Sequence, residues 1–231
     1  MMAHDDTTAL ERIDSFFQKF STKSYRKGEI VLFQGEAPRA GLAIKKGIAK
    51  AYNLSSAGDE KPIAFYGPRS IFPAAWVLGK VPSAIYYYEA FTDLEVYSFP
   101  REEYVEFIKK DAELLMWELN NYILDDVGKT MRLNALQHSR ASDKLIYTLH
   151  YLALSHGRTI KQNVVEISLN LTHQDFANLT GLTRETTATE LNKLKGLGVI
   201  SYGKHSPYQI DVAKLNTALN DQFIAELQLK L

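Results

Sequence analysis

From Arg101 to Val127 the chain carries neither glycine nor proline, and its Glu, Lys, Leu, Met and Asn content mostly favours helix. A run of this kind predicts one long helix, broken near Asp111 and continuing past Gly128 to about His138. Its apolar and small positions permit two heptad seams. One passes through Met116, Asn120, Ile123, Val127, Thr130 and Asn134. The other passes through Leu114, Trp117, Asn121, Leu124, Gly128 and Met131. Either seam mixes apolar with polar residues, which suits a parallel helix pair able to adjust its packing. A helix packed on its own domain is the alternative.

The prolines divide what lies on either side, because six of the seven stand at or before Pro100 and the other is Pro207. Before Pro100, short β-prone runs (Glu29–Phe33, Gly47–Tyr52, Ile63–Tyr66, Leu94–Phe99) alternate with turn signals such as Gln34-Gly35-Glu36 and Tyr66-Gly67-Pro68. Short strands at such intervals predict a small antiparallel barrel or sandwich. Leu10, Ile13, Phe16, Phe17 and Phe20 recur at helical spacing, so an amphipathic helix precedes it. After the polar joint 137–142, a helix is expected from Asp143 to Ser155, with Gly157 to end it. A strand over Val164–Leu169, two further helices and a hairpin over Val199–Ile210 follow.

The two helices carry the most specific signal. Thr172 can cap the first, with Asp175 three residues on as its reciprocal partner. Gly181 stands where that helix must stop, and Thr183 caps the next. Phe176, Leu179, Leu182, Leu191 and Leu194 supply a shared core, and small Ala177 permits close approach. This is the pattern of a helix-turn-helix. Arg184, Glu185, Ala188, Thr189 and Asn192 fall on a face of the second helix roughly 120° from Leu191 and Leu194. Arginine can donate twice to guanine, glutamate can accept from cytosine N4, and a small Ala188 lets the helix sit deep in a major groove. Thr172, Gln174 and Thr183 at the helix starts, with Lys204 and His205 on the hairpin, are the candidates for backbone phosphates. A hairpin directly after the second helix completes a winged arrangement.

Composition narrows the chemistry. The 27 Lys+Arg balance 27 Asp+Glu, so no global field draws the chain onto nucleic acid or anionic membrane, and any polyanion site is local. With no cysteine, there is no disulfide, thiolate zinc site, cysteine-held iron–sulfur cluster or thiol nucleophile. No nucleophile–base arrangement, zinc-protease pattern or phosphate-cradling glycine loop is present, so no catalytic residues and no metal ligands are assigned and an enzyme is not expected. No apolar run reaches the ~20 residues of a membrane span, and the chain reads as cytoplasmic.

Leu182-Thr-Arg-Glu-Thr-Thr-Ala188, followed by Leu191, Leu194 and Gly198-Val-Ile200, resembles the recognition helix and following strand of the catabolite-activator/FNR-like (Crp/Fnr) family of bacterial transcription regulators. Lys27-Gly-Glu-Ile-Val-Leu-Phe-Gln-Gly-Glu36 is similar to the opening of that family's cyclic-nucleotide-binding-type barrel. The resemblance covers nearly the whole chain. It implies an α+β protein with a jelly-roll barrel over 1–110, a dimerisation helix over 111–138 and a winged helix-turn-helix over 139–231. It also implies a homodimer on a palindromic duplex operator with half-sites ~34 Å apart, acting with RNA polymerase. The dimer contacts would come from Met116, Ile123, Val127 and Thr130. The departures matter equally. No Arg or Lys lies between Lys80 and Arg101, so a cyclic nucleotide's phosphate would lack its charge partner there. Trp76, Tyr86, Tyr87 and Tyr88, with Lys129 and Thr130 from the long helix, are the expected lining of a pocket for an unidentified apolar or aromatic effector, if one is used. A competing expectation is an effector-binding module whose helix-turn-helix binds protein rather than DNA.

Overall fold

The chain divides into two compact units, Met1–Asn121 and Tyr122–Leu231, the first holding the strand-rich segment before Pro100 together with the helical stretch up to Asn121. The computed structural model describes residues 3–203 and 206–219, with side chains from Thr8 onward.

The first unit opens with helix α1 (Ala3–Phe17) and continues as strands β1 (Thr22–Tyr25), β2 (Ile30–Leu32), β3 (Gly41–Lys46), β4 (Ala49–Leu54), β5 (Glu60–Tyr66) and β6 (Ile71–Phe72). A one-turn helix α2 (Ala74–Val77), strands β7 (Tyr87–Ala90) and β8 (Leu94–Phe99) and helix α3 (Arg101–Lys109) follow. The strands form two four-stranded antiparallel sheets, ordered β1-β8-β3-β6 and β2-β7-β4-β5. Alternation along each strand sends Leu42, Ile44, Ala49, Ala51, Tyr88, Ala90, Leu94 and Val96 into one buried cluster shared by both sheets, the interior of a jelly roll. A second cluster joins Ile13, Phe16 and Phe17 of α1 to Phe99, Tyr104, Ile108 and Leu114. The helical stripe read at the N-terminus is thus the lid of this aromatic layer, in which Phe16 stacks on Phe107 at 4.3 Å between ring centroids.

Helix α4 (Ala112–Gln137) is separated from α3 by Lys110 and Asp111, the break expected from the sequence. Asp111 makes it a new start, since its carboxylate accepts from the backbone N–H groups of Glu113 and Leu114. Leu114, Gly128, Met131 and Ala135 are buried and Trp117 packs on the aromatic layer, whereas Met116, Leu119, Ile123 and Leu133 are exposed, as are Asn121 and Leu124 in the middle of the second seam. The second seam is therefore largely occupied by intrachain packing, and the first is open.

The second unit holds α5 (Ala141–His156), β9 (Gly157–Lys161), β10 (Val164–Ile167), α6 (His173–Thr180), α7 (Arg184–Gly196), β11 (Ile200–Ser201), β12 (Gln209–Asp211) and α8 (Val212–Ala218). Its strands form an antiparallel sheet, β11-β12-β10-β9. Gly157 ends α5, but in extended rather than left-handed backbone (φ −88°), because it also opens β9. A side chain there would collide with the Ala153 carbonyl and Val165. Strand β10, the one the sequence predicts here, pairs with β9 as an antiparallel hairpin, and β9 itself carries no alternating pattern. The hairpin of β11 and β12 is present, with Ile200 opposite Ile210 and Ser201 opposite Gln209. Among the described residues no helix is long and apolar enough to cross a membrane.

Candidate nucleic-acid interface

Helix α6 begins with the reciprocal cap its sequence encodes. The Thr172 hydroxyl accepts from the Asp175 N–H at 3.2 Å, and the Asp175 carboxylate accepts from the Thr172 N–H at 2.7 Å. It ends at Gly181, whose φ of +68° is the left-handed turn that glycine takes without a Cβ clash. Two residues later Thr183 caps α7 by accepting from the Thr186 N–H. This local chemistry sets the sharp turn between the helices.

Packing then decides which side of α7 is free. Thr187, Leu191 and Leu194 are buried with Phe176, Ala177 and Leu179, while Arg184, Glu185, Thr189 and Asn192 are exposed and Ala188 is half-buried. The structure brings all four predicted base-reading residues onto one exposed flank. Among the described residues, neither Arg184 nor Glu185 is committed to an ion pair; Glu190, which faces the other way, pairs with Lys193 at 2.6 Å. The Thr189 hydroxyl donates to the Glu185 carbonyl at 3.0 Å, leaving its oxygen as an acceptor. Burial first, and the Arg184 charge second, hold the His173 imidazole below its ordinary pKa, so at neutral pH the start of α6 carries no extra cation.

Of the phosphate candidates, Thr172, Gln174 and Thr183 are exposed at the starts of α6 and α7, where helices leave backbone N–H groups unpaired. Both cap hydroxyls are engaged as donors, Thr172 to Asp175 and Thr183 to Thr186. A phosphate would therefore meet N–H groups first. Gln174 donates to Asn178 at 2.9 Å and keeps a second amide hydrogen. Lys204 and His205 lie outside the described residues. Tyr202, which the sequence reading did not single out, stands beside this face. Its ring stacks on Tyr208 and its hydroxyl reaches Asn192.

Within the first unit, the four residues expected to line an effector pocket do not converge. Tyr88 is inside the jelly roll, stacked on Phe72 at 5.2 Å, and Tyr86 meets it edge-on. Tyr87, one residue out of phase, points to the opposite sheet face and stacks on Tyr52 at 5.4 Å. Trp76 belongs to the aromatic layer under α1, with the Arg101 guanidinium over its ring. On α4, Lys129 pairs with Asp125 one turn away and Thr130 is exposed. Burial pushes the Tyr88 hydroxyl above its ordinary range, so it is a neutral donor. Two open grooves lie on the outer surface of the first unit: one of about 540 Å³ between α2 and α3, lined by Val77, Leu78 and Val105 among others, and one of about 400 Å³ between α1 and α3.

Residues 22–111 match the family model for the cyclic nucleotide-binding domain, and residues 143–218 match that for the Crp-like helix-turn-helix domain. The chain is 26% identical over 183 residues to the global nitrogen regulator of Nostoc sp., covering 79% of this chain and 82% of that one. It is 24% identical over 199 residues to the cyclic AMP receptor protein of Thermus thermophilus, covering 84% and 86%. Among solved structures, a cyclic nucleotide-binding domain containing protein from Listeria monocytogenes superposes with a TM-score of 0.72 at 15% identity, over 88% of this chain and 97% of that one. FixK2 from Bradyrhizobium japonicum does so with a TM-score of 0.68 at 20% identity, over 86% and 96%. Both family models lie along one chain, in the order in which the jelly roll and the winged helix-turn-helix occur, and the regulators it resembles align across both units; the chain belongs to the Crp/Fnr family of helix-turn-helix transcription regulators.

Proposed function

We propose that this regulator acts in the cytoplasm as a homodimer. It reads a palindromic duplex operator with Arg184, Glu185, Ala188 and Thr189, and it uses neither cyclic AMP nor an iron–sulfur cluster. RNA polymerase is the partner through which this binding affects transcription. The observation that carries the reading is the division of α7: Thr187, Leu191 and Leu194 are buried, and the opposite flank offers Arg184, Glu185 and Thr189 to solvent without intrachain ion pairs among the described residues. Such a flank fits a major groove, where a bidentate arginine–guanine contact contributes ~1–3 kcal/mol of discrimination. Thr172, Gln174, Thr183, Lys204 and His205 would hold phosphates and fix the register. The open apolar seam on α4, with Met116 53% and Ile123 49% exposed, supports pairing with a second copy through Met116, Ile123, Val127 and Thr130. The absence of cysteine from the sequence and of Arg or Lys between Lys80 and Arg101 argues against the two familiar effectors. An effector contact by Tyr86 or Tyr88 would have to form inside the jelly roll. Trp76 and Tyr87 are directed away from that interior.

Selection from a pool of randomised duplexes tests the proposal. The wild-type chain should enrich a two-fold symmetric site containing a G·C pair in each half. Arg184→Ala should lose preference at that pair by roughly 10- to 100-fold while retaining weak, salt-sensitive duplex affinity. Equal enrichment of all sequences by the wild type would overturn it.

A further inference from the structure

Resting on the reading of α7 as the recognition helix, we infer that Tyr202 is a positioning residue that locks Asn192 as a neutral hydrogen-bond donor to the operator's sugar–phosphate backbone. Asn192 shares the exposed flank with Arg184 but lies eight residues on, roughly 12 Å further along the helix. Base contacts by a recognition helix come from its N-terminal residues. A side chain two turns later faces the groove wall, where the acceptors are phosphate oxygens.

Asn192 does not hold itself in place. The Tyr202 hydroxyl donates to Asn192 Oδ1 at 3.2 Å, leaving both Nδ2 hydrogens to point elsewhere. Burial holds the Tyr202 hydroxyl above its ordinary pKa, so it remains a donor at neutral pH. The ring beneath that hydroxyl is fixed on several sides. It stacks on Tyr208 at 4.4 Å, and Tyr208 in turn meets Phe176 of the α6 core at 5.0 Å. His173 makes a T-shaped contact with it, 5.8 Å between ring centroids. The Lys195 ammonium sits 4.4 Å over the ring and donates to the Tyr202 carbonyl at 2.9 Å. A chain of contacts thus runs from the buried face of α6 through the wing to an exposed amide on α7. Preorganisation of this kind strengthens binding by removing the entropy of ordering the side chain on the complex.

Tyr202→Phe removes the hydroxyl and keeps the ring with its stacking, so it separates the lock from the packing. In the full chain it should weaken binding to the selected operator and to an unrelated duplex alike, by about 3- to 10-fold for each bound domain. Base preferences should be unchanged. The slope of log affinity against log salt should also be unchanged, because no charge on a phosphate is neutralised. Asn192→Ala should match or exceed the loss, and the double variant should be no worse than Asn192→Ala alone. In the free protein, nitrogen-15 relaxation of the Asn192 side-chain amide should report a stiff group that loosens in Tyr202→Phe. Equal amide motion in the two proteins, wild-type affinity in Tyr202→Phe, or a preference altered at one base pair would each overturn the inference and leave the regulator reading standing. A wild-type chain with no duplex affinity would remove both.

Discussion

Thr187 sits on the buried side of α7, and its hydroxyl finds no hydrogen-bond partner among the described residues. An unpaired buried hydroxyl costs roughly 1–3 kcal/mol of desolvation, while valine has the same shape and a similar helix propensity. Thr187→Val should therefore raise the thermal midpoint of the second unit and leave operator affinity as it was, because the residue faces away from the reading flank. Calorimetry with a parallel binding curve checks both halves. The neighbouring Thr186 and Thr189 are exposed, and the helical period marks Thr187 as the inward threonine of this run, since it stands four and seven residues before Leu191 and Leu194. A second prediction concerns His156, whose imidazole burial pushes down to about 4. The unfolded chain binds that proton with a pKa near 6.5. Between about 6.5 and about 4 the unfolded state thus carries more protons, so stability falls as the pH is lowered through this window and is unaffected above it. His150 is displaced in the same direction by burial. Urea midpoints at pH 7.5 and 5 should show the wild type losing more stability than His156→Phe; parallel lines for the two would contradict it.

At the scale of the element, α4 carries two apolar stripes, and intrachain packing takes up most of one, at Leu114, Trp117, Gly128 and Met131, and little of the other. Trp117 packs on the aromatic layer of the first unit, and Met131 is buried in the second. If two copies pair through the open stripe as proposed, Ile123→Glu should sediment as a monomer where the wild type sediments as a dimer, without lowering the thermal midpoint of the first unit. Trp117→Ala should do the reverse, destabilising the first unit by a few kcal/mol, as expected for a truncated packed tryptophan. Periodicity alone could not separate the stripes, since both have similar composition and only the intrachain neighbours distinguish them. The helix-turn-helix was legible because its information is local: two caps, a left-handed glycine and 3.6-residue spacing all lie between Thr172 and Leu194. Strand β9 was not, because Gly157–Lys161 is mostly exposed and shows no alternation. The tyrosine run fell between these cases. A period of two already separates Tyr87 from Tyr86 and Tyr88, whereas the departure of Trp76 to the layer under α1 depends on tertiary packing that no local pattern encodes.

For the whole molecule the governing fact is neutrality, with 27 basic against 27 acidic side chains. No long-range field concentrates the chain on DNA, so affinity must come from short-range contacts of the second unit, and any effector must act by favouring the conformation that makes them. A ligand shifts that balance only by binding the two states unequally, and a tenfold shift in operator affinity requires about 1.4 kcal/mol of coupling. Cyclic AMP would bring one phosphate charge to the jelly roll. Its interior is filled by Phe72, Tyr88, Leu94 and Val96, and the sequence supplies no Arg or Lys between Lys80 and Arg101 to neutralise that charge. Burying the phosphate without a cation would cost more than the adenine's apolar contacts return. Saturating cyclic AMP should therefore leave the operator dissociation constant within twofold of its ligand-free value and produce no binding heat in a titration of the free protein. Replacing Pro82 by arginine places a cation in the segment that lacks one. If neutralisation is the missing element, the Pro82→Arg variant should acquire measurable heat with cyclic AMP that the wild type lacks, whereas strong binding by the wild type would show that the charge argument fails for this jelly roll.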